Sequence, residues 1–278
     1  MSEYDAWLNQ PVETTARLDP WPARALSAVL GRAAGPSPGD DGDLPCLWQW
    51  LYFLETPDHE KIGPDGHPVR GDFLPPIPHP RRMFAGGRTT VHRPLRLGFE
   101  ASLTRSVVAI EEKRPGPEGM WLVTIRYQFR QNGADCVTEE RDYVYLAGVA
   151  APWRDAGPVS PPEAIWRAEV TPDPVTLMRF SALTFNGHRI HYDKDYAVTE
   201  EGYPERVTHG PLTAILLAEF ARRESGRTVA DLSFRARSPL FVNGLIHLGG
   251  NPKGAGAELS AHDHQGTLAM SVKVSFGA

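Results

Sequence analysis

Apolar and polar positions alternate most clearly over residues 121–146, WLVTIRYQFRQNGADCVTEERDYVYL. Trp121, Val123, Ile125, Tyr127 and Phe129 recur at every second position, the period of a half-buried strand. Asn132-Gly133 follows, a pair that tolerates the positive φ angles of a tight hairpin turn, and a second strand returns through Val137 to Tyr143 and Tyr145. The C-terminal segment repeats the pattern: a turn at Gln265-Gly266 leads into Leu268, Met270, Val272, Val274 and Phe276. Each half of the chain is expected to end in a long antiparallel hairpin.

Each half also carries a segment of helical period. Pro211 suits a first helical position, Leu212, Ile215, Leu216 and Phe220 follow at helical spacing, and Gly226 suits a stop after Arg222-Arg223. Residues 22–30, PARALSAVL, form a similar amphipathic segment in the first half. Helix and alternating strands, stated twice, point to an α+β chain of two related domains, residues 1–147 and 164–278. Between them, residues 148–163 hold four prolines and two glycines and read as the linker. Residues 57–80 hold seven prolines, with Asp65-Gly66-His67-Pro68 among them. Loops of this length are often lids or binding loops; a passive surface excursion is the alternative.

Composition narrows the classes. A hydrophobic share of 41% with 23% charged residues excludes wholesale disorder. Lys and Arg total 29 against 34 Asp and Glu, a net charge of −5 without the basic excess of a dedicated nucleic-acid binder. No stretch approaches the roughly 18 consecutive apolar residues of a membrane helix. The acidic start, MSEYDAWLNQPVETTARLD, lacks the basic and apolar regions of a secretory signal. Cys46 and Cys136, without metal spacing, are expected to be reduced thiols of a cytoplasmic protein.

The informative polar cluster is residues 180–193, FSALTFNGHRIHYD. Within eight positions, Asn186, His188, Arg189, His191 and Asp193 supply an amide, two imidazoles, a guanidinium and a carboxylate. Thr208-His209-Gly210-Pro211 then begins the second-half helix, and a glycine there offers an unpaired N–H at the positive end of the helix dipole. An imidazole beside such a donor suits chemistry at an activated carbonyl. Bracing of the loop by Asn186 and His188 is the plainer reading of those two residues.

This segment resembles the motif of MaoC-type enoyl-CoA hydratases, Asp-x-Asn-Pro-x-His followed by a His-Gly helix start. It is more closely similar to the hydroxyacyl-thioester dehydratase type 2 branch, which includes mesaconyl-CoA (3-methylfumaryl-CoA) hydratases. The first half carries the same resemblance in Trp48-Gln49-Trp50-Leu51-Tyr52-Phe53, Asp65-Gly66-His67-Pro68, Leu74-Pro75-Pro76-Ile77-Pro78 and residues 81–87, RRMFAGG. It implies a double hotdog, two curved antiparallel sheets each wrapped around a central helix. The catalytic motif would lie in the second domain, with an acyl pocket and part of the CoA surface in the first.

Aligned without gaps, Asn186 stands at the family's acidic position, His188 at its asparagine and Arg189 at its proline, while His191 keeps the histidine. The resemblance therefore implies His191 as the main acid/base, His188 as second candidate, Asn186 positioning water and the Gly210 N–H holding the thioester oxygen. Tyr192 and His209 are added as substrate contacts. Reversible hydration of an α,β-unsaturated acyl-CoA is the implied activity, with a short dicarboxylic acyl group preferred and longer chains as the alternative. A second carboxylate needs a cation, for which Arg81, Arg82 and Arg189 are candidates; the same arginines could instead meet CoA phosphates. A hotdog thioesterase would need a carboxylate, and Glu219 is available; a non-catalytic acyl-CoA binder would have little need of the imidazoles. The chemistry requires no metal, nicotinamide or flavin. His262-Asp263-His264 is expected to be an exposed polar loop, and a homodimer is the expected partner state.

Overall fold

The structure, a computed structural model, describes residues 3–35, 37–114, 116, 119–148, 153 and 157–277. Ten strands pair antiparallel in one sheet: β1 (Val12–Arg17), β2 (Arg81–Val91), β3 (Glu100–Arg114), β4 (Met120–Gln131), β5 (Ala134–Leu146), β6 (Trp166–Val170), β7 (Val229–Ala236), β8 (Ile246–Lys253), β9 (Gly256–His262) and β10 (Leu268–Phe276). The first five run in the order β1-β3-β4-β5-β2, and the next five repeat it as β6-β8-β9-β10-β7. The two runs join edge to edge where Gly86–Thr90 of β2 faces Asp231–Arg235 of β7. This is the doubled hotdog arrangement.

Both expected hairpins form. In the first, Asn132 and Gly133 take φ of 51° and 75°, the left-handed pair that a two-residue turn demands. Among the described residues, four α-helices accompany the sheet: α1 (Pro20–Leu30), α2 (Pro174–Leu183), α3 (Lys194–Thr199) and α4 (Gly210–Ser225). Helix α4 is buried continuously from Leu212 to Ala221 against β7, β8, β9 and β10, and Gly226 ends it in a left-handed conformation.

The first half differs from the expected single long central helix. Helix α1 buries only Ala23, Leu26 and Leu30, one stripe at i, i+3 and i+7, and leaves Trp21 exposed. It packs on α2 and on the buried turn Trp48–Leu51 rather than lying enclosed by strands. The concave face of β3, β4 and β5 is consequently left to wall a cavity.

Between β6 and α4 the chain makes an excursion that the sequence pattern did not resolve: α2, a turn over residues 184–188, a 3-10 turn Arg189–His191, and α3. Asp173 and Asp193 cap α2 and α3 by accepting the N–H groups of Thr176 and Tyr196. Of the expected linker 148–163, residues 149–152 and 154–156 lie outside the described residues. Within the described residues no helix is long and apolar enough to cross a membrane.

Because α4 is the body around which the second half closes, truncating Phe220, 1% exposed at its centre, should cost about 3–5 kcal/mol. Urea unfolding of Phe220→Ala measures it, and a loss below 1 kcal/mol would contradict the enclosed placement.

Candidate active site

The polar cluster of the second half meets the proline-rich loop of the first. Gly66 has φ +87°, and a Cβ there would lie 1.8 Å from the Gly187 carbonyl oxygen. Alongside, the Arg189 N–H donates to the Asp65 carbonyl at 2.9 Å, and the Arg189 guanidinium donates to the Pro64 carbonyl at 3.1 Å. The loop over residues 57–80 is therefore no passive excursion. Its tip is docked on the motif.

Docking brings four imidazoles into one row. Ring centroids are 4.1 Å apart for His67 and His188, 5.4 Å for His188 and His191, and 3.6 Å for His191 and His209, the last pair nearly parallel. The His191 Nδ1 lies 2.7 Å from the Val207 carbonyl, which can only accept, so Nδ1 carries the proton and Nε2 keeps a lone pair. Burial pushes the His191 pKa down to about 4 against the favourable carbonyl contact. His209, fully buried, meets the Ser181 hydroxyl at 2.8 Å through Nε2 and is likewise held neutral by burial and by His191. His188 is also pushed down, by burial and then by the neighbouring His67, His191 and Arg82.

His67 differs from the other three. Its Nδ1 lies 2.9 Å from the Asp65 carboxylate, and its own N–H reaches the other Asp65 oxygen at 3.0 Å. Burial and the Arg82 charge lower its pKa to about 4, against the pull of Asp65. Burial raises the Asp65 carboxyl, but the His67 contacts and Arg82 outweigh it and hold it below the ordinary carboxylate value. Among the described residues, donor atoms of Asp65, His67 and His188 fall within 4.8 Å of one another, a spacing a cation could occupy. The Asp65 bond already takes the Nδ1–H of His67, and the Arg82 charge bears on both rings.

His67, His188, His191, Asn186 and Gly210 all line a cavity of about 1170 Å³, whose far wall is aromatic, with Trp50, Phe84, Tyr127 and Tyr143. Gly210 opens α4 and carries one of its unpaired N–H groups, with Phe84 of the first half so near that a Cβ on Gly210 would be 3.2 Å from its ring. Arginines in the wall divide by partner. Arg81 faces Glu201 at 3.5 Å, Arg105 pairs with Glu55, and Arg141 pairs with the fully buried Glu139. Arg82 has no ion pair among the described residues and packs over the Tyr143 ring at 5.8 Å. Arg237, exposed in the wall, was not singled out by the sequence.

The remaining candidates sort as follows. The Asn186 carboxamide oxygen accepts the His188 N–H at 3.0 Å, bracing the turn and leaving only its NH2 group for the cavity. Tyr192 is half-exposed in the wall and donates its hydroxyl to the Gly187 carbonyl. Arg189 is outside the wall, held 2.7 Å from Asp193 and stacked on Tyr196, because α3 folds back over it. Glu219 is also elsewhere: nine residues along α4 from Gly210, about 13 Å by helical rise, it accepts the Gly35 N–H and pairs with Arg222. The His262-Asp263-His264 segment is not a uniformly exposed loop. His262 is buried, with its ring nitrogens on Gly266 and Ser260, since it ends β9; Asp263 braces the turn and only His264 is exposed.

A doubled hotdog sheet, a glycine at a helix start and a row of imidazoles thus meet at one cavity. Residues 47–242 match the hydroxyacyl-thioester dehydratase type 2 family, and the chain belongs to that family. It is 43% identical, over 99% of both chains, to the mesaconyl-C(4)-CoA hydratase of Chloroflexus aurantiacus. It is 28% identical to the mitochondrial hydroxyacyl-thioester dehydratase type 2 of Schizosaccharomyces pombe, over 70% of this chain and 74% of that one. Among solved structures, HtdX of Mycobacterium tuberculosis superposes with a TM-score of 0.68 at 16% identity, covering 95% of this chain and 99% of that one.

The buried imidazoles tie stability to pH. In the unfolded chain each takes a proton near 6.5, whereas in the folded protein His67 and His191 do so only near about 4. The unfolded state therefore binds more protons throughout that window, so their stabilisation is complete above 6.5 and is lost as pH falls toward about 4. Thermal unfolding at closely spaced pH values should show Tm falling steeply across this window; a flat profile would refute the neutral array.

Proposed function

We propose that this protein adds water reversibly across the α,β-double bond of an acyl-CoA thioester, and that its preferred acyl group is short and dicarboxylic, of the 3-methylfumaryl type. The observation that carries the reading is Arg82, which makes no ion pair among the described residues, beside neutral imidazoles in a cavity that also holds the start of α4. In a 3-methylfumaryl thioester the free carboxylate is bonded to Cβ, the carbon that receives the hydroxyl. A cation that grips it must therefore lie beside the residues that handle water. The Arg82 charge acts on both His67 and His188.

In this reading, water donates a hydrogen to the bare Nε2 of His191 and turns a lone pair toward Cβ. As the C–O bond forms, the π electrons move onto the thioester oxygen, where the Gly210 N–H and the α4 dipole meet the developing charge. Proton return to Cα completes the addition. Asn186 offers its NH2 group to hold the water oxygen. The same reading takes the chain as a cytoplasmic enzyme that pairs as a homodimer and uses no metal, nicotinamide or flavin. The placement of Glu219 speaks against a thioesterase built on that carboxylate. The cavity's size and aromatic wall favour one second reading, a dehydratase for longer 3-hydroxyacyl chains.

A panel of enoyl-CoAs of differing length and charge, scored by loss of the conjugated thioester absorbance, separates these substrates. His191→Ala should reduce kcat by on the order of 10²–10⁴ while the protein stays folded by circular dichroism. Arg82→Gln should lower kcat/KM for 3-methylfumaryl-CoA by about 10- to 100-fold, as loss of a charged hydrogen bond predicts, and leave crotonyl-CoA within a few-fold. Equal losses on both substrates would remove Arg82 from carboxylate recognition.

A further inference from the structure

We propose that the Asp65–His67 pair is the element of this site that carries the transferred proton, supplied by the first half of the chain where the second half has Asn186 in place of a carboxylate, while His191 orients the attacking water. The inference rests on the hydration reading and assigns the residue that carries the transferred proton. His67 lines the same cavity as His191, and its ring lies 4.1 Å from that of His188. The Asp65 carboxylate, 2.9 Å from Nδ1, can only accept, so the ring offers Nε2 as its free acceptor.

The geometry gives each ring a different fate when it is protonated. A proton on His191 would create an imidazolium whose Nδ1 partner is the neutral Val207 carbonyl. On His188 it would create a cation among His67, His191 and the Arg82 guanidinium. On His67 the new charge sits against a carboxylate, although Arg82 and Arg70 oppose it from β2 and from the loop. Only at His67 is the cation formed as one half of an ion pair.

The step then balances without any further reactant. Water donates one hydrogen to Nε2 of His191 and the other to Nε2 of His67. As oxygen bonds to Cβ, the O–H bond facing His67 breaks and that proton moves to Nε2, giving an imidazolium paired with Asp65. The electron pair of the double bond is held on the thioester oxygen. It returns to form the Cα–H bond as His67 gives up the same proton, restoring the neutral ring. His67 is thus catalytic, and Asp65 is a positioning residue that fixes the tautomer and steadies the imidazolium, as a buried carboxylate does for a histidine base elsewhere.

The test uses the full chain and 3-methylfumaryl-CoA, with crotonyl-CoA as a second probe. His67→Gln should lower kcat by about 10²–10⁴ on both substrates with KM changed only a few-fold. His67→Ala should lose as much and recover part of its kcat in added imidazole. Asp65→Asn should reduce kcat more than KM and abolish the low-field His67 Nδ1–H resonance in proton NMR, while Tm checks that each variant is folded. Retention of kcat within about threefold in the His67 variants would overturn the proposal. So would one equivalent of tightly bound zinc, lost in His67→Gln and required for turnover. A wild-type protein that hydrates no enoyl-CoA would instead defeat the functional reading itself, before any variant is compared.

Discussion

Everything at this site depends on a backbone contact between the two halves. The Asp65 carbonyl accepts the Arg189 N–H, and Gly66 presses so close to Gly187 that only a residue without a Cβ fits. Neither loop is held by regular secondary structure at this point, so each is the other's support. The edge pairing of β2 with β7 brings the two sheets into register, and this contact converts that register into placement of individual side chains. One first-half imidazole thereby joins three from the second half, and the α4 N-terminus faces the aromatic wall of the first-half sheet.

Electrostatics follow from that enclosure. Four rings this close together cannot all be charged; His191 and His209 are buried, His67 and His188 are half-buried at the cavity wall, and desolvation favours the base form of each. Positive charge in the cavity wall is mostly answered: Glu201, Glu55 and Glu139 face Arg81, Arg105 and Arg141. Arg82, like Arg237, makes no ion pair among the described residues; β2 delivers it beside the rings and Asp65, where a substrate anion would complete it. Asp65 is the carboxylate that belongs to the rings, and it engages one of them alone.

Much of the fold was legible because its signals are local. Period-two alternation and Asn132-Gly133 located the first hairpin, and the Pro211 start and Gly226 stop bounded α4 to within a residue. The unequal role of α1 was less visible, since a short amphipathic pattern says that one face is buried but not what buries it. At the site, the residues of the second-half motif do gather around one cavity. Arg189 does not, because Asp193 lies one helical turn ahead and captures it, a pairing that spacing alone could have suggested. The part played by Asp65 and His67 was hidden for another reason. Asp-Gly-His-Pro in a proline-rich loop carries no period, and its chemistry exists only once Gly66 has docked on a segment more than a hundred residues away.

The central claim is that this composite cavity adds water to a thioester-conjugated double bond and leaves the thioester intact. It is tested most directly by turning over 3-methylfumaryl-CoA in deuterium oxide and following the product by proton NMR together with a free-thiol assay. The account predicts a product hydroxylated at Cβ, one deuterium at Cα for each molecule formed, and no thiol released. Release of CoA thiol in step with substrate loss, or a product without deuterium at Cα, would contradict it.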